Sequence, residues 1–191
     1  MPTLSQKFEE ALVYAAIVHA GQVRKGTGTP YIGHVLGVAS ITLEYGGDED
    51  EAIAALLHDA AEDAGGVARI EDIRKRFGEK VAKIVEGCTD TLETPKPPWR
   101  ERKEKYVRHL KDADASTCLV SAADKLYNVQ TIIRAVREKG EKAWSQFAGG
   151  KEGRLWYYRA LVTEFRKCGP KTLVDELDRA VTEMEKLPLP D

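Results

Sequence analysis

"AALLHDAAEDAGG", residues 54–66, is the stretch whose reading decides the fold. Leu56, Leu57, Ala60 and Ala61, with Ile53 just before them, recur at helical spacing and predict a helix with most of its girth in a core. Into that helix the chain sets His58, Asp59, Glu62 and Asp63. On a continuous helix His58 stacks with Glu62 and Asp59 with Asp63, giving two columns about 100° apart that share one polar corner. Three carboxylates beside an imidazole repel one another, and each needs a partner once it leaves water. A divalent cation relieves both problems, so the corner reads as part of a metal site.

Outward from this segment the 3.6-residue period persists and no run alternates with period 2. Leu4, Phe8, Leu12, Ala15 and Ala16 form a stripe that predicts a first helix ending before Gly21. Residues 32–45 predict a second, and the quoted stretch belongs to a third that runs from Asp48 to the glycines at 65 and 66. Further helices are expected over 69–77, 79–90, 99–111, 114–137 with Asp114 as cap, 153–168 and 171–186, with "LPLPD" as terminator. The fold class is all-α: one compact helical bundle of about 8–10 helices. Residues 1–137 are its core carrying the metal site, and 138–191 are C-terminal helices packed on that core.

A net charge of −2 gives no general attraction to nucleic acid or to an anionic membrane, so a small-molecule partner is expected and any polyanion must meet a local basic patch. No basic leader precedes the first apolar run, and no apolar run is long enough to span a bilayer. Cys88, Cys118 and Cys168 are far apart with no CxxC spacing, which reads as reduced, structural thiols and a cytoplasmic chain. Oligomeric state is left open. "WRERKEKYVRH", residues 99–109, is mixed in sign and reads as a solvated helix face; His19 and His109 read as structural, and the Trp156–Tyr158 run as packing, with one tyrosine as an alternative lining of the site.

Two adjacent residues do not fill a metal shell, so the corner calls for ligands from elsewhere. His34 lies in "GTPYIGHVLGVA", a polar residue entering an apolar helix. Asp124 interrupts the apolar face of "LVSAADKLYNVQTII", with Asn128 four positions on. Taken singly, His34 is a half-buried helix-start histidine, and Asp124 with Asn128 is a surface hydrogen-bonded pair. Taken with His58 and Asp59 they make a nitrogen–oxygen donor set suited to Mn²⁺, Fe²⁺ or Zn²⁺.

"HAGQVRKGTGTPYIGH" (19–34), "AALLHDAAED" (54–63), "FGEKVAKIVEGCTD" (77–90) and "ADKLYN" (123–128) together resemble the HD-domain metal phosphohydrolases. Within that superfamily they are similar, in order, to the hydrolase domain of RelA/SpoT homologues, in its small alarmone hydrolase branch. The resemblance implies a (p)ppGpp 3′-pyrophosphohydrolase that releases pyrophosphate and GDP or GTP. It implies one divalent ion, Mn²⁺ first with Fe²⁺, Co²⁺ or Zn²⁺ as alternatives, held by His34, His58, Asp59 and Asp124. Glu62 and Asp63 would handle the nucleophilic water, and Arg24, Lys25 and Asn128 would contact the nucleotide. Tyr127 is a core aromatic or a wall of the nucleotide pocket. The competing readings are a phosphatase acting on NADPH or another nucleotide through the same site, and a non-catalytic nucleotide-binding regulator.

Overall fold

The computed structural model describes residues 3–25 and 27–187; Pro188 to Asp191, most of the expected terminator, lie outside the described residues. The helices are α1 (Gln6–Val18), α2 (Ile32–Glu44), α3 (Glu49–Leu57), α4 (Ala60–Asp63), α5 (Gly66–Phe77), α6 (Glu79–Cys88), α7 (Trp99–His109), α8 (Ala115–Lys139), α9 (Gly150–Cys168) and α10 (Lys171–Glu185). Short 3₁₀ turns follow α7 and α8, over Leu110–Asp112 and Gly140–Gln146. No β-strand occurs among the described residues; one isolated bridge joins Val23 to Pro30.

Local chemistry sets the starts of these helices. Ser5 caps α1 by accepting from the Lys7 amide at 3.2 Å, and Asp114 caps α8 by accepting from the Thr117 amide at 2.7 Å. Before α3, Asp48 accepts from the Glu51 amide while Glu51 accepts from the Asp48 amide, a reciprocal capping box. Gly78 adopts φ 93°, a left-handed conformation that closes α5 and lets the chain turn into α6.

Helix α8 is the centre of the molecule and packs against α2, α3, α6, α9 and α10. Buried residues from Ala11 to Met184 form one connected core around it. On α1, Phe8, Leu12 and Ala15 face that core as expected, but Leu4 and Ala16 are exposed. Leu4 precedes the helix, and Ala11 and Tyr14 fill the inward face instead.

Two expectations fail for tertiary reasons. The third helix is not continuous: α3 stops at Leu57, and Asp59 sits at ψ −6° before the four-residue α4 begins. The thiols are not all reduced either. Cys118 in the first turn of α8 and Cys168 at the end of α9 are joined as a disulfide, with Cα atoms 5.9 Å apart, while Cys88 is free and buried. Sequence spacing says nothing of such proximity, which arises because the end of α9 returns to the start of α8. A crosslink across 50 residues constrains the unfolded chain, so Cys118→Ser should lower stability by about 2–4 kcal/mol in urea unfolding. Denatured without reductant, the wild type should release one titratable thiol; release of all three would refute the crosslink.

No described helix is long and apolar enough to cross a membrane.

Candidate active site

The break after Leu57 is what assembles the site. On a regular helix, neighbouring side chains diverge by about 100° and do not meet. With the chain turned at Asp59, its carboxylate swings back until Oδ2 lies 3.0 Å from His58 Nε2. The two stacked columns expected from the sequence are therefore replaced by convergence of the adjacent pair. His34, from the first turn of α2, brings Nε2 to 3.4 Å from the same oxygen. Asp124 from α8 closes the ring, with Oδ1 3.2 Å from His34 Nε2 and 3.6 Å from His58 Nε2.

All four sequence-derived ligand residues thus meet, drawn from α2, the α3–α4 break and α8. One atom each of His34, His58 and Asp59 lie within 4.8 Å of one another. Bonds of about 2.1 Å to a shared ion give ligand–ligand edges of about 3.0–3.5 Å, the spacing found here. His58 Nδ1 is 2.8 Å from the Ala55 carbonyl oxygen, a bond that fixes the ring with Nε2 facing the cluster. That buried Nε2 has no aligned hydrogen bond, despite the nearby carboxylate. A close approach without hydrogen-bond alignment fits two ligand atoms that face a common cation.

The electrostatics agree. Burial alone would raise the Asp124 carboxyl, but the Lys125 ammonium and the two imidazoles outweigh it and hold it well below the usual carboxylate range. Asp59 is also held well below that range, burial being overcome by His58 and His34. Both carboxylates are thus kept ionised in the interior and favour positive charge between them.

A ring of further groups orients the cluster. Tyr31 donates to Asp59 Oδ2 at 2.5 Å and stacks on buried His19, so His19 supports the site from outside it. Burial first, then the Asp59 and Asp63 charges, push the Tyr31 phenol far up, so it stays a donor. Asp124 Oδ1 also accepts from Asn128 Nδ2 at 2.5 Å, and Asn128 in turn accepts from Arg24 at 2.7 Å. Asp124 is paired on its other oxygen with Lys125.

Glu62 and Asp63, on α4, reach different partners. Glu62 accepts from Lys96 at 2.8 Å and from the Asp90 amide at 3.3 Å, whereas Asp63 accepts from Gln22 at 2.7 Å. Both line a cleft of about 410 Å³ together with Arg24, Lys25 and Asn128. Arg24 is held in the turn between Val23 and Pro30, its amide donating to the Thr29 carbonyl.

Tyr127 is a wall, but of a second cavity of about 510 Å³ that shares Arg24 with the first and is also lined by His34, Thr131 and Arg134. Its ring lies 5.0 Å from that of His34. Gly37 makes this possible, because a Cβ there would fall 2.1 Å from the Tyr127 ring.

Much of the remaining lining of the cleft was not expected. Lys96, Trp99, Arg102, Lys103, Arg154 and Tyr158 also line it, so α7 is not a simple solvated face. Arg102 and Lys103 turn inward because they share a helix face with Trp99 and Tyr106, at the i, i+3, i+4, i+7 positions that pack toward a core. His109 is exposed, and the Trp156–Tyr158 run divides: Tyr157 and Tyr158 are buried, Trp156 is half-exposed beneath Arg100.

Comparison with known proteins bears on this arrangement. Residues 11–153 match the sequence model of the HD domain. The chain belongs to the HD domain family. This HD domain is 41% identical over 140 residues to the guanosine-3′,5′-bis(diphosphate) 3′-pyrophosphohydrolase MESH1 of Xenopus tropicalis, covering 72% of this chain and 73% of that one. It is 38% identical over 140 residues to the Homo sapiens MESH1, with the same coverage. Among solved structures it superposes on a metazoan ortholog of SpoT, described as hydrolysing ppGpp, with a TM-score of 0.78 and 28% identity. That match covers 98% of this chain and 100% of the other. The all-α fold expected for an HD domain is the fold seen.

Proposed function

We propose that this chain is a metal-dependent (p)ppGpp 3′-pyrophosphohydrolase, with the ion held by His34, His58, Asp59 and Asp124. One observation carries the reading: four nitrogen and oxygen donors from three parts of the chain converge beside a cleft that is acidic at Glu62 and Asp63 and rich in cations elsewhere. The relatives' named activity, hydrolysis of a guanosine bis(diphosphate), matches a cleft of that charge. Mn²⁺ is our first assignment, with Fe²⁺, Co²⁺ and Zn²⁺ as alternatives for such a donor set. When bound, a divalent ion there supplies charge that polarises a phosphoryl oxygen and lowers the pKa of a water toward neutrality.

The chain's own groups do the rest. Glu62, four positions beyond His58, accepts the proton of the attacking water as its oxygen bonds to the phosphorus carried on the ribose 3′-oxygen. The P–O3′ bond breaks, the 3′-oxygen takes a proton, and pyrophosphate and GDP or GTP leave. Asp63, fixed by Gln22, adds negative charge beside the water. Arg24, with its guanidinium 5.8 and 5.7 Å from the Tyr31 and Tyr127 ring centroids, presents a flat cation that can stack on a purine and pair with phosphate. Lys25 and Asn128 contact the nucleotide beside it, and Tyr127 walls the adjoining cavity. Positioning and charge stabilisation supply most of the rate.

The test is a nucleotide panel assayed with Mn²⁺, measuring phosphate and pyrophosphate separately. Pyrophosphate from ppGpp is the expected product. Phosphate from NADPH with ppGpp left intact would replace this reading with a nucleotide phosphatase. Tight nucleotide binding without turnover under any of the four metals would replace it with a regulator.

A further inference from the structure

The inward face of α7 holds a charge imbalance that the catalytic reading above does not use. Lys103 is only 15% exposed at its side chain, and its Nζ lies 3.1 Å from Asp90 Oδ2. The same oxygen also receives the Arg102 guanidinium, so one carboxylate faces two cations and a positive charge is left over. Behind Lys103, Lys125 is already committed to Asp124. Lining the same cleft, Arg154 of α9 donates from Nε to the Ala148 carbonyl and has no carboxylate partner among the described residues. Its guanidinium lies 5.6 Å from the Trp99 ring centroid and 5.8 Å from that of Phe147, two aromatic neighbours that bring no negative charge to it.

Two cations that line one cleft with little carboxylate to pair them favour a bound anion. We propose that Lys103 and Arg154 form a subsite for the distal phosphate of the diphosphate that is cleaved off, and so select a 3′-diphosphate over a 3′-monophosphate. The proposal rests on the pyrophosphohydrolase reading and adds a residue-level cause of its specificity. Placement gives the direction. Arg24, assigned to the nucleoside above, is tied through Asn128 to the ligand Asp124. Lys103 is tied instead to Glu62, by way of Asp90, whose carboxylate it pairs with and whose amide donates to that acid. A diphosphate whose inner phosphorus faces Glu62 therefore extends its outer phosphate toward α7 and α9.

The acid–base state of Lys103 fits an empty anion site. Burial, then repulsion from Lys125 and with it Arg102 and Arg154, lowers its ammonium to about 7, against the pull of Glu62. A bound phosphate reverses that repulsion and holds the amine charged. Tyr157, whose ring centroid is 5.2 Å from Nζ, brings no competing negative charge, since burial keeps its phenol protonated.

Two measurements decide the matter. The first needs no turnover: metal-free protein in chelator is titrated calorimetrically with sodium pyrophosphate. Lys103→Met and Arg154→Met should each weaken binding about tenfold or more at low salt, as loss of one charge-assisted contact does. Arg154 is on a different helix and outside the Asp90 ion pairs, so its variant keeps the test open if the Lys103 variant folds poorly. The second compares guanosine 5′-diphosphate bearing either a 3′-diphosphate or a 3′-monophosphate. Both variants should lose about tenfold more kcat/KM on the 3′-diphosphate than on the 3′-monophosphate. Unaltered pyrophosphate binding, or equal losses on the two substrates, overturns the subsite while leaving the hydrolase reading standing. Failure of the wild type to turn over any guanosine substrate removes that reading, and the calorimetry still reports on the subsite.

Discussion

Asp124→Ala should cost the protein its ion, its activity and about 3–5 kcal/mol of stability at once. The stability loss comes from Lys125, whose side chain is 13% exposed and whose ammonium is paired with that carboxylate. Burial works against a charged Lys125, but Asp124 outweighs it and holds the ammonium charged; without Asp124 the charge is buried and uncompensated. Asn128 loses an acceptor too, and with it the tie that passes through Asn128 to Arg24. The double variant Asp124→Ala with Lys125→Met should recover most of the stability by removing the stranded charge. It should recover neither metal content nor turnover. Urea unfolding and elemental analysis read the two effects separately. A single variant as stable as the wild type, or a double variant that regains metal, would show that Asp124 does not hold both.

Glu62→Gln should lower kcat by about 10²–10⁴-fold with the metal content unchanged. Glutamine keeps the size and one carbonyl oxygen to accept from Lys96, and gives up only the longer bond from the Asp90 amide, so the surroundings of α4 survive. What it cannot do is accept a proton from water. KM should move little, because the side chain is assigned to the water and not to the nucleotide. Near-normal kcat in this variant would remove Glu62 from the proton path and leave Asp63 as the remaining carboxylate for that role.

What the sequence made legible follows from short-range regularity. His34, His58, Asp59 and Asp124 stood out because each is a polar intrusion in an apolar helical face, and helix period needs no knowledge of the tertiary fold. Convergence of three segments on one point was expected from the chemistry of unpaired carboxylates, and the distances of 3.0–3.6 Å agree with it.

The inward cations of α7 escaped because a run of mixed charges looks solvated when read as composition. The signal was present in the register: Trp99, Arg102, Lys103 and Tyr106 share one face, and two aromatics mark that face as inward. Tyr31 could have been found the same way, three positions before His34 and on its side of the chain. The Cys118–Cys168 bond had no local signal at all, since only the return of α9 to the start of α8 brings the two together. The kink at Asp59 was hidden by Ala60 and Ala61, strong helix formers that argue locally for an unbroken rod.

That kink carries an evolutionary consequence. A straighter rod through residues 54–63 would satisfy local preference better, and substitutions that reinforce it would be easy for selection on thermal robustness to find. Each would swing Asp59 away from its imidazole neighbour and dismantle the donor ring. Hardier variants of this chain should therefore gain their robustness elsewhere, on the outer faces of α5 or α10, and keep the bend as the fold's standing concession to chemistry.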